Sequence, residues 1–360
     1  MKRLLVLSHF CPETPHRTGG VEQVLPPLLQ GLGRYGWDVR SMHHGHCFAR
    51  RSHSIWPDGD DLEPNMADEE ALRKAAREFR SITPTVDVVM SVDRALPCRV
   101  GTPAVLMINT LSYGLEAVAL LSGGWDRVLT PSRFLGSAVS NLLPDTRLDC
   151  VGYGVSKETL SAARASSLPE WNDKPRIIKL PHRPDPRKGQ AQAVQGLSEG
   201  LPHSRDVYLE ITWFNEEPQS LAFRQRLNRL AAATMVSQQI LWRKWLSPSE
   251  YRRSLLACCG VLQVGSFRES FGLSVVEAAL FGRPAVTTPQ PAIRGVLGKT
   301  PLHIEVGDPT LWFKALSRYY SHPINYGDLK GLQDRLERVL SMERMVMKYD
   351  RALTAAATAL

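Results

Sequence analysis

Residues 266–286 read SFRESFGLSVVEAALFGRPAV and carry two glutamates, Glu269 and Glu277, with seven residues between them. Ahead of them, residues 261–264 form a short apolar run with a strand pattern. From Gly272 onward Leu273, Val276 and Leu280 recur at helical spacing until Gly282 and Pro284 stop the run. The stretch predicts a strand, a loop over 265–270 and a helix over 272–281. One carboxylate then precedes the helix start and the other lies one to two turns inside. The outward N–H groups of about residues 270–273 favour an anion there. A carboxylate is a good acceptor for paired hydroxyls, each charged hydrogen bond contributing roughly 1.5–3 kcal/mol. The pattern suits two polyols joined by a phosphate bridge. Taken alone, the two glutamates fit equally well a surface helix with a solvated Glu277 and an incidental loop charge.

Working outward, the same alternation of strand and helix fills the chain. Strand patterns fall at 4–8, 37–42, 86–92, 104–108, 127–130 and 148–152, then at 176–180, 207–212, 239–242, 260–264, 284–288 and 303–306. Helical patterns fall between them, at 21–34, 68–80, 133–143, 190–197, 248–257 and 311–319. This order argues for parallel sheets built from βαβ units. Twelve strands exceed one comfortable open sheet, so two six-stranded sheets are expected. The polar segment SAARASSLPEWNDKP (161–175) reads as the hinge between them. The expectation is α/β: a first Rossmann-like domain over 1–165, a second over 172–327, and a helical segment over 328–360 that returns to the first. Doubly wound domains bind ligands at the carboxyl ends of their strands, here in a cleft between the two.

Composition narrows the classes. With 360 residues, 43% hydrophobic and 22% charged, the chain has the make-up of a globular enzyme. No apolar run approaches the ~18–20 residues of a membrane span, and the run Leu4–Leu7 is too short for a signal peptide. The six cysteines show no CxxC spacing and fit free thiols in a reducing cytoplasm. Of the net charge of +8, residues 1–165 contribute nothing (18 basic against 18 acidic) and residues 166–360 everything (26 against 18). No basic run or nucleic-acid motif accompanies that surplus, which argues against a nucleic-acid partner. A neutral first half also counts against a membrane-docked enzyme.

Two further loops follow strand patterns. HRPDPRKGQ (182–190) offers Arg183 and Lys188 on one loop, able to neutralise a diphosphate and to stabilise its charge as it leaves. Gly19 and Gly20 open the helix after the first strand and permit close backbone approach to a ligand. His9 and His16 lie near that loop, where structural or solvated roles outweigh catalytic ones.

The stretch from Glu269 to Glu277, with the following G-x-P-A-V, strongly resembles the ExxxxxxxE signature of retaining GT-B glycosyltransferases of the glycosyltransferase family 4 type. The loop with Arg183 and Lys188–Gly189 matches the same family. Carried over, the resemblance implies Arg183, Lys188 and Glu269 as catalytic residues, Glu269 holding sugar hydroxyls. It implies Gly19, Gly20, Ser270, Phe271, Gly272, Leu273 and Glu277 on the donor, Glu277 holding the ribose diol. His9, Asn109 and Tyr113 fall to the acceptor. No metal or cofactor is implied, the nucleotide-diphosphate sugar being a co-substrate. The partners are a nucleotide-sugar donor and a small-molecule or glycan acceptor, in the cytoplasm. The chain departs from the family at His182 (usually Gly), Asn109 (often His), Tyr153 (usually Asn), WFNEEP (213–218) in place of a glycine-rich turn, and QPAIRG (290–295) in place of Gly-Gly-x-x-Glu. Those departures keep open a non-catalytic nucleotide-sugar-binding or scaffold protein, and a sugar-nucleotide epimerase, which would need the donor alone, is a second alternative on the same fold.

Overall fold

The computed structural model describes residues 1–8, 20–43, 69–98, 100–112, 114–170, 175–182, 184–201, 203–213, 218–244, 246–322 and 326–358. The chain divides into two compact units, Met1–Val155 with Val339–Leu360, and Ser156–Arg338.

The first unit is built on β1 (Lys2–Ser8), β2 (Trp37–His43), β3 (Val88–Val92), β4 (Ala104–Met107), β5 (Arg127–Thr130) and β6 (Leu148–Cys150). They form one sheet in the order β2-β1-β3-β4-β5-β6, with every pairing parallel. The near-continuous apolar runs follow from burial on both faces. On one face Leu5, Leu7 and Val89 pack with Phe79 of α2 (Glu69–Ile82), and Leu106 and Val128 pack with α3 (Leu115–Leu121) and α4 (Arg133–Leu142). Against α1 (Gly20–Arg34) lies the last helix of the chain, Met342–Ala357: a Cβ on Gly31 would stand 2.4 Å from Val346. Asp350 of that helix accepts from Lys2 Nζ and Trp37 Nε1, both at 2.8 Å. The expected single stretch over about 328–349 is therefore two helices, broken where Ser341 caps the second by accepting from Arg344 N.

The second unit opens with α5 (Lys157–Arg164), whose last turn falls inside what the polar composition marks as a linker, 161–175. Ser156 caps it, and Arg164 forms a bidentate pair with Glu337, so it packs with the second unit, and the division falls after Val155. The sheet comprises β7 (Arg176–Leu180), β8 (Val207–Trp213), β9 (Ile240–Lys244), β10 (Gly260–Gln263), β11 (Ala285–Thr287) and β12 (His303–Glu305). Its order is β12-β11-β10-β7-β8-β9, again wholly parallel. Strand order reverses between β7 and β10, the position at which open α/β sheets bind ligands. The helices are α6 (Gln190–Glu199), α7 (Pro218–Ala233), α8 (Pro248–Ala257), α9 (Leu273–Leu280), α10 (Pro291–Leu297), α11 (Trp312–Tyr320) and α12 (Tyr326–Leu340), leaving α13 for Met342–Ala357. Ile178, Leu180, Leu262, Val264 and Val286 form one core with Val194 and Trp312. Alternate residues face the other way, and there the layer is polar: Lys179 is 1% exposed and pairs with Glu210 on the neighbouring strand.

Candidate functional site

The two central strands of the second sheet deliver the site. After β7 the chain turns through a short 3-10 helix, Pro186–Lys188, whose start Asp185 caps by accepting from Arg187 N at 2.9 Å. Gly189 then takes φ +91 and begins α6. After β10 the loop passes against this turn: Phe267 N donates to Arg187 O at 2.8 Å. The two backbones meet at glycines, since a Cβ on Gly265 would lie 2.0 Å from Arg187 O and one on Gly189 2.4 Å from Gly265 N. Neither position accepts a side chain without moving a backbone.

That contact brings Lys188 and Glu269 together. Lys188 Nζ lies 2.5 Å from Glu269 Oε1, and their side chains are 10% and 16% exposed. The ammonium also sits 3.3 Å from the centroid of the Phe267 ring, a cation–π contact strengthened by exclusion of water. Gln290 braces the loop from the other side, accepting from Glu269 N at 3.1 Å and donating to Phe267 O at 2.9 Å. Gln290 is 3% exposed and caps no helix with its side chain, so its amide serves the loop.

The predicted helix is α9, beginning at Leu273 behind Gly272 in the left-handed conformation, φ +76. A side chain at 272 would strike Ile293, 2.3 Å from the ideal Cβ. Val275, Val276, Ala278, Ala279 and Leu280 are buried, so the helix is enclosed on more than the single apolar face that its spacing predicts. Glu277 is half-buried in that setting. Lost hydration lifts its carboxyl to about 7, against the opposing charge of Arg252.

His182, at the end of β7, is 6% exposed, with Nε2 3.1 Å from Leu262 O. Burial, reinforced by the Lys188 ammonium, lowers its imidazole to about 4. Arg183 lies outside the described residues.

In the first unit, Asn109 follows β4 at 3% exposure. Its N and Nδ2 donate to the two carboxylate oxygens of Asp93 at 2.7 and 2.8 Å, and Tyr153 donates to its Oδ1 at 2.5 Å. Asp93 holds φ +56, a conformation costing about 1 kcal/mol or more that these bonds sustain. Asn109 thus belongs to an interior network at the carboxyl ends of β3 and β4. Gly20 is the first residue of α1, while His9, His16, Gly19 and Tyr113 lie outside the described residues. Among the described residues, no group of three or more His, Cys, Asp or Glu is arranged as metal ligands would be. No described helix is long and apolar enough to cross a membrane.

Of the sequence-derived residues, the structure unites Lys188, Glu269, Ser270, Phe271 and Gly272 at the tips of β7 and β10. The sequence reading passes over Gln290 and Phe267. A loop glutamine has no signature of its own, whereas Phe267 stands two residues before Glu269, where a cation partner could have been sought.

Comparison with known proteins agrees with this architecture. Residues 215–322 match the family described as "Glycosyl transferases group 1". Among curated proteins, no sequence relative matches. Solved structures match along the whole chain. Sucrose-phosphate synthase from Thermosynechococcus elongatus is 17% identical with a TM-score of 0.76, covering 99% of this chain and 100% of that one. A UDP-forming trehalose-phosphate synthase from Burkholderia xenovorans is 13% identical with a TM-score of 0.70, covering 100% and 99%. The Anabaena protein HepE, solved with UDP and glucose, is 13% identical with a TM-score of 0.67, covering 99% and 100%. The fold of this chain is that of the GT-B glycosyltransferases, two Rossmann-like units each on a six-stranded parallel sheet.

Proposed function

We propose that the protein is a retaining glycosyltransferase of the family 4 type that moves a sugar from a nucleotide-sugar donor to a hydroxyl of a small molecule or glycan. The observation that carries this reading is the Lys188–Glu269 pair, enclosed against Phe267 beside the start of α9, with Glu277 inside that helix. Cation, helix start and two carboxylates supply in one unit what a diphosphate flanked by two polyols requires.

In this reading Lys188, with Arg183 and the N-terminus of α9, stabilises the leaving diphosphate, and no metal is needed. Glu269 holds hydroxyls of the transferred sugar, Glu277 the ribose diol, and Ser270 to Leu273 the phosphate and sugar. A donor must then take over both halves of the Lys188–Glu269 pair, the phosphate meeting the ammonium and the sugar the carboxylate. In this reading no carboxylate of the protein acts as nucleophile: the acceptor oxygen attacks on the face the diphosphate leaves, and a departing phosphate oxygen takes its proton. The acceptor is assigned to the first unit, near Gly20; Asn109, expected on the acceptor, is instead taken up by the interior network with Asp93 and Tyr153.

Thermal unfolding in the presence of UDP-, GDP- and ADP-sugars tests the reading, since a ligand of the native state raises apparent stability. One nucleotide class is expected to stabilise the wild type. Glu269→Ala and Lys188→Ala are expected to lower turnover about tenfold or more, ~1.4 kcal/mol or more of transition-state stabilisation. Near-normal rates in both variants, or no stabilisation by any of these donors, refute it.

A further inference from the structure

His182 follows β7 and bonds across to β10, the two strands whose following loops carry Lys188 and Glu269, and that bond fixes its chemistry. Nε2 lies 3.1 Å from Leu262 O, and a carbonyl oxygen can only accept. The proton of a neutral ring is therefore on Nε2, and Nδ1 holds a lone pair. The ring is neutral because it is buried and stands beside a cation, which hold its pKa near 4. Nδ1 has no hydrogen-bond partner among the described residues. The ring is close enough to Lys188 and Glu269 for both charges to act on it.

We propose that His182 is a donor-specificity residue: its Nδ1 accepts a hydrogen bond from a hydroxyl of the transferred sugar, next to the hydroxyls held by Glu269. The inference rests on the donor reading above and extends it to a residue that the resemblance leaves unassigned. Phosphate oxygens carry no proton at neutral pH in a sugar nucleotide, so Nδ1 cannot bind the diphosphate. A sugar hydroxyl can supply the hydrogen. Two acceptors, His182 Nδ1 and Glu269, then select a sugar whose adjacent hydroxyls both donate, and a deoxy position facing His182 is disfavoured.

Two substitutions separate this role from packing. His182→Gln places an amide N–H near the position of Nε2 and can keep the bond to Leu262 O, but it removes the acceptor at Nδ1. His182→Asn does the reverse, offering its amide oxygen near Nδ1 and giving up Leu262. Calorimetric titration of UDP against UDP-glucose, GDP against GDP-mannose and ADP against ADP-glucose measures the affinity increment contributed by the sugar. In the nucleotide class that the wild type binds, the Gln variant should lose about fivefold or more of that increment while the bare nucleotide binds within about twofold of wild type. The Asn variant should retain most of it. An increment kept by Gln and lost by Asn, or equal losses for nucleotide and sugar nucleotide, overturns the proposal. Long-range nitrogen NMR of the free wild type provides a ligand-independent check: the proton is expected on Nε2, and a proton on Nδ1 overturns the proposal. Failure of every nucleotide to bind the wild type would instead remove the donor reading, and this inference with it.

Discussion

Tyr153 donates its hydroxyl to Asn109 Oδ1 at 2.5 Å, so two positions at which the sequence departs from the pattern it resembles are one contact. The pair rests on Asp93, whose carboxylate receives both N–H groups of Asn109. All three residues are under 6% exposed. Tyr153→Phe and Asn109→Ala should each destabilise the protein by about 1–3 kcal/mol, since each leaves a buried polar group unpaired. The double variant should cost clearly less than the sum, with a coupling of about 1 kcal/mol in urea unfolding. Strict additivity would show that the contact carries no energy.

A second prediction concerns pH. The ordinary value of His182, 6.5, falls to about 4 on folding. As pH drops from 6.5 the unfolded chain takes up a proton that the folded one refuses, so this group removes roughly 3 kcal/mol of stability by pH 4. Glu277 acts oppositely, its ordinary 4.5 rising to about 7. Its contribution is fully present below 4.5 and is lost as pH rises through 7. Between about 4.5 and 6.5 the two slopes oppose one another. Glu277→Gln should therefore expose a protein that loses stability on acidification. His182→Gln should expose one that gains it. Chemical denaturation across a pH series checks this, and parallel profiles for wild type and both variants would contradict it.

A third concerns the buried pair of Lys179 and Glu210, 1% and 6% exposed at their side chains. Glu210→Leu strands the Lys179 ammonium in the interior and should cost about 3–5 kcal/mol, whereas Lys179→Met leaves Glu210 paired with Arg243, 3.3 Å away, and should cost less. The double substitution should recover most of that loss, because the Coulomb attraction only offsets the desolvation of both ions. Urea midpoints at unchanged denaturant slope provide the measurement. A double variant as unstable as the worse single one would show that the pair is needed for packing.

The fold was largely legible in the amino-acid order. All twelve strands overlap the predicted ones, and the inner ones such as β1, β3, β4 and β10 are the clearest, because strands buried on both faces need near-continuous apolar residues, which a short window detects. Helices exposed on one side were harder. Residues 157–164 and 218–233 are rich in Ser, Arg, Gln and Ala, and without a strong apolar stripe neither reads as a helix, the last turn of the first falling within the linker pattern of 161–175. Lys179 and Glu210 sit in runs that read as plain strand, and nothing local says they are partners. At the candidate site the roles of Glu269 and Lys188 rest on resemblance, whereas their contact, 81 positions apart, needed the sheet. Gln290 came to light only as a brace across two loops.

The last helix has a consequence for biosynthesis. Residues 339–360 complete the first unit, with Asp350 fastening Lys2 and Trp37 and Val346 filling the space beside Gly31. The ribosome therefore releases the end of the first unit only after the whole of the second, whose sequence is uninterrupted. Domains otherwise tend to fold in the order they emerge. Here the half made later can finish first, and the half made earlier waits with an uncovered face of α1 until the final segment arrives. A stop codon directly after codon 338 would spare residues 156–338 and leave residues 1–155 unable to close.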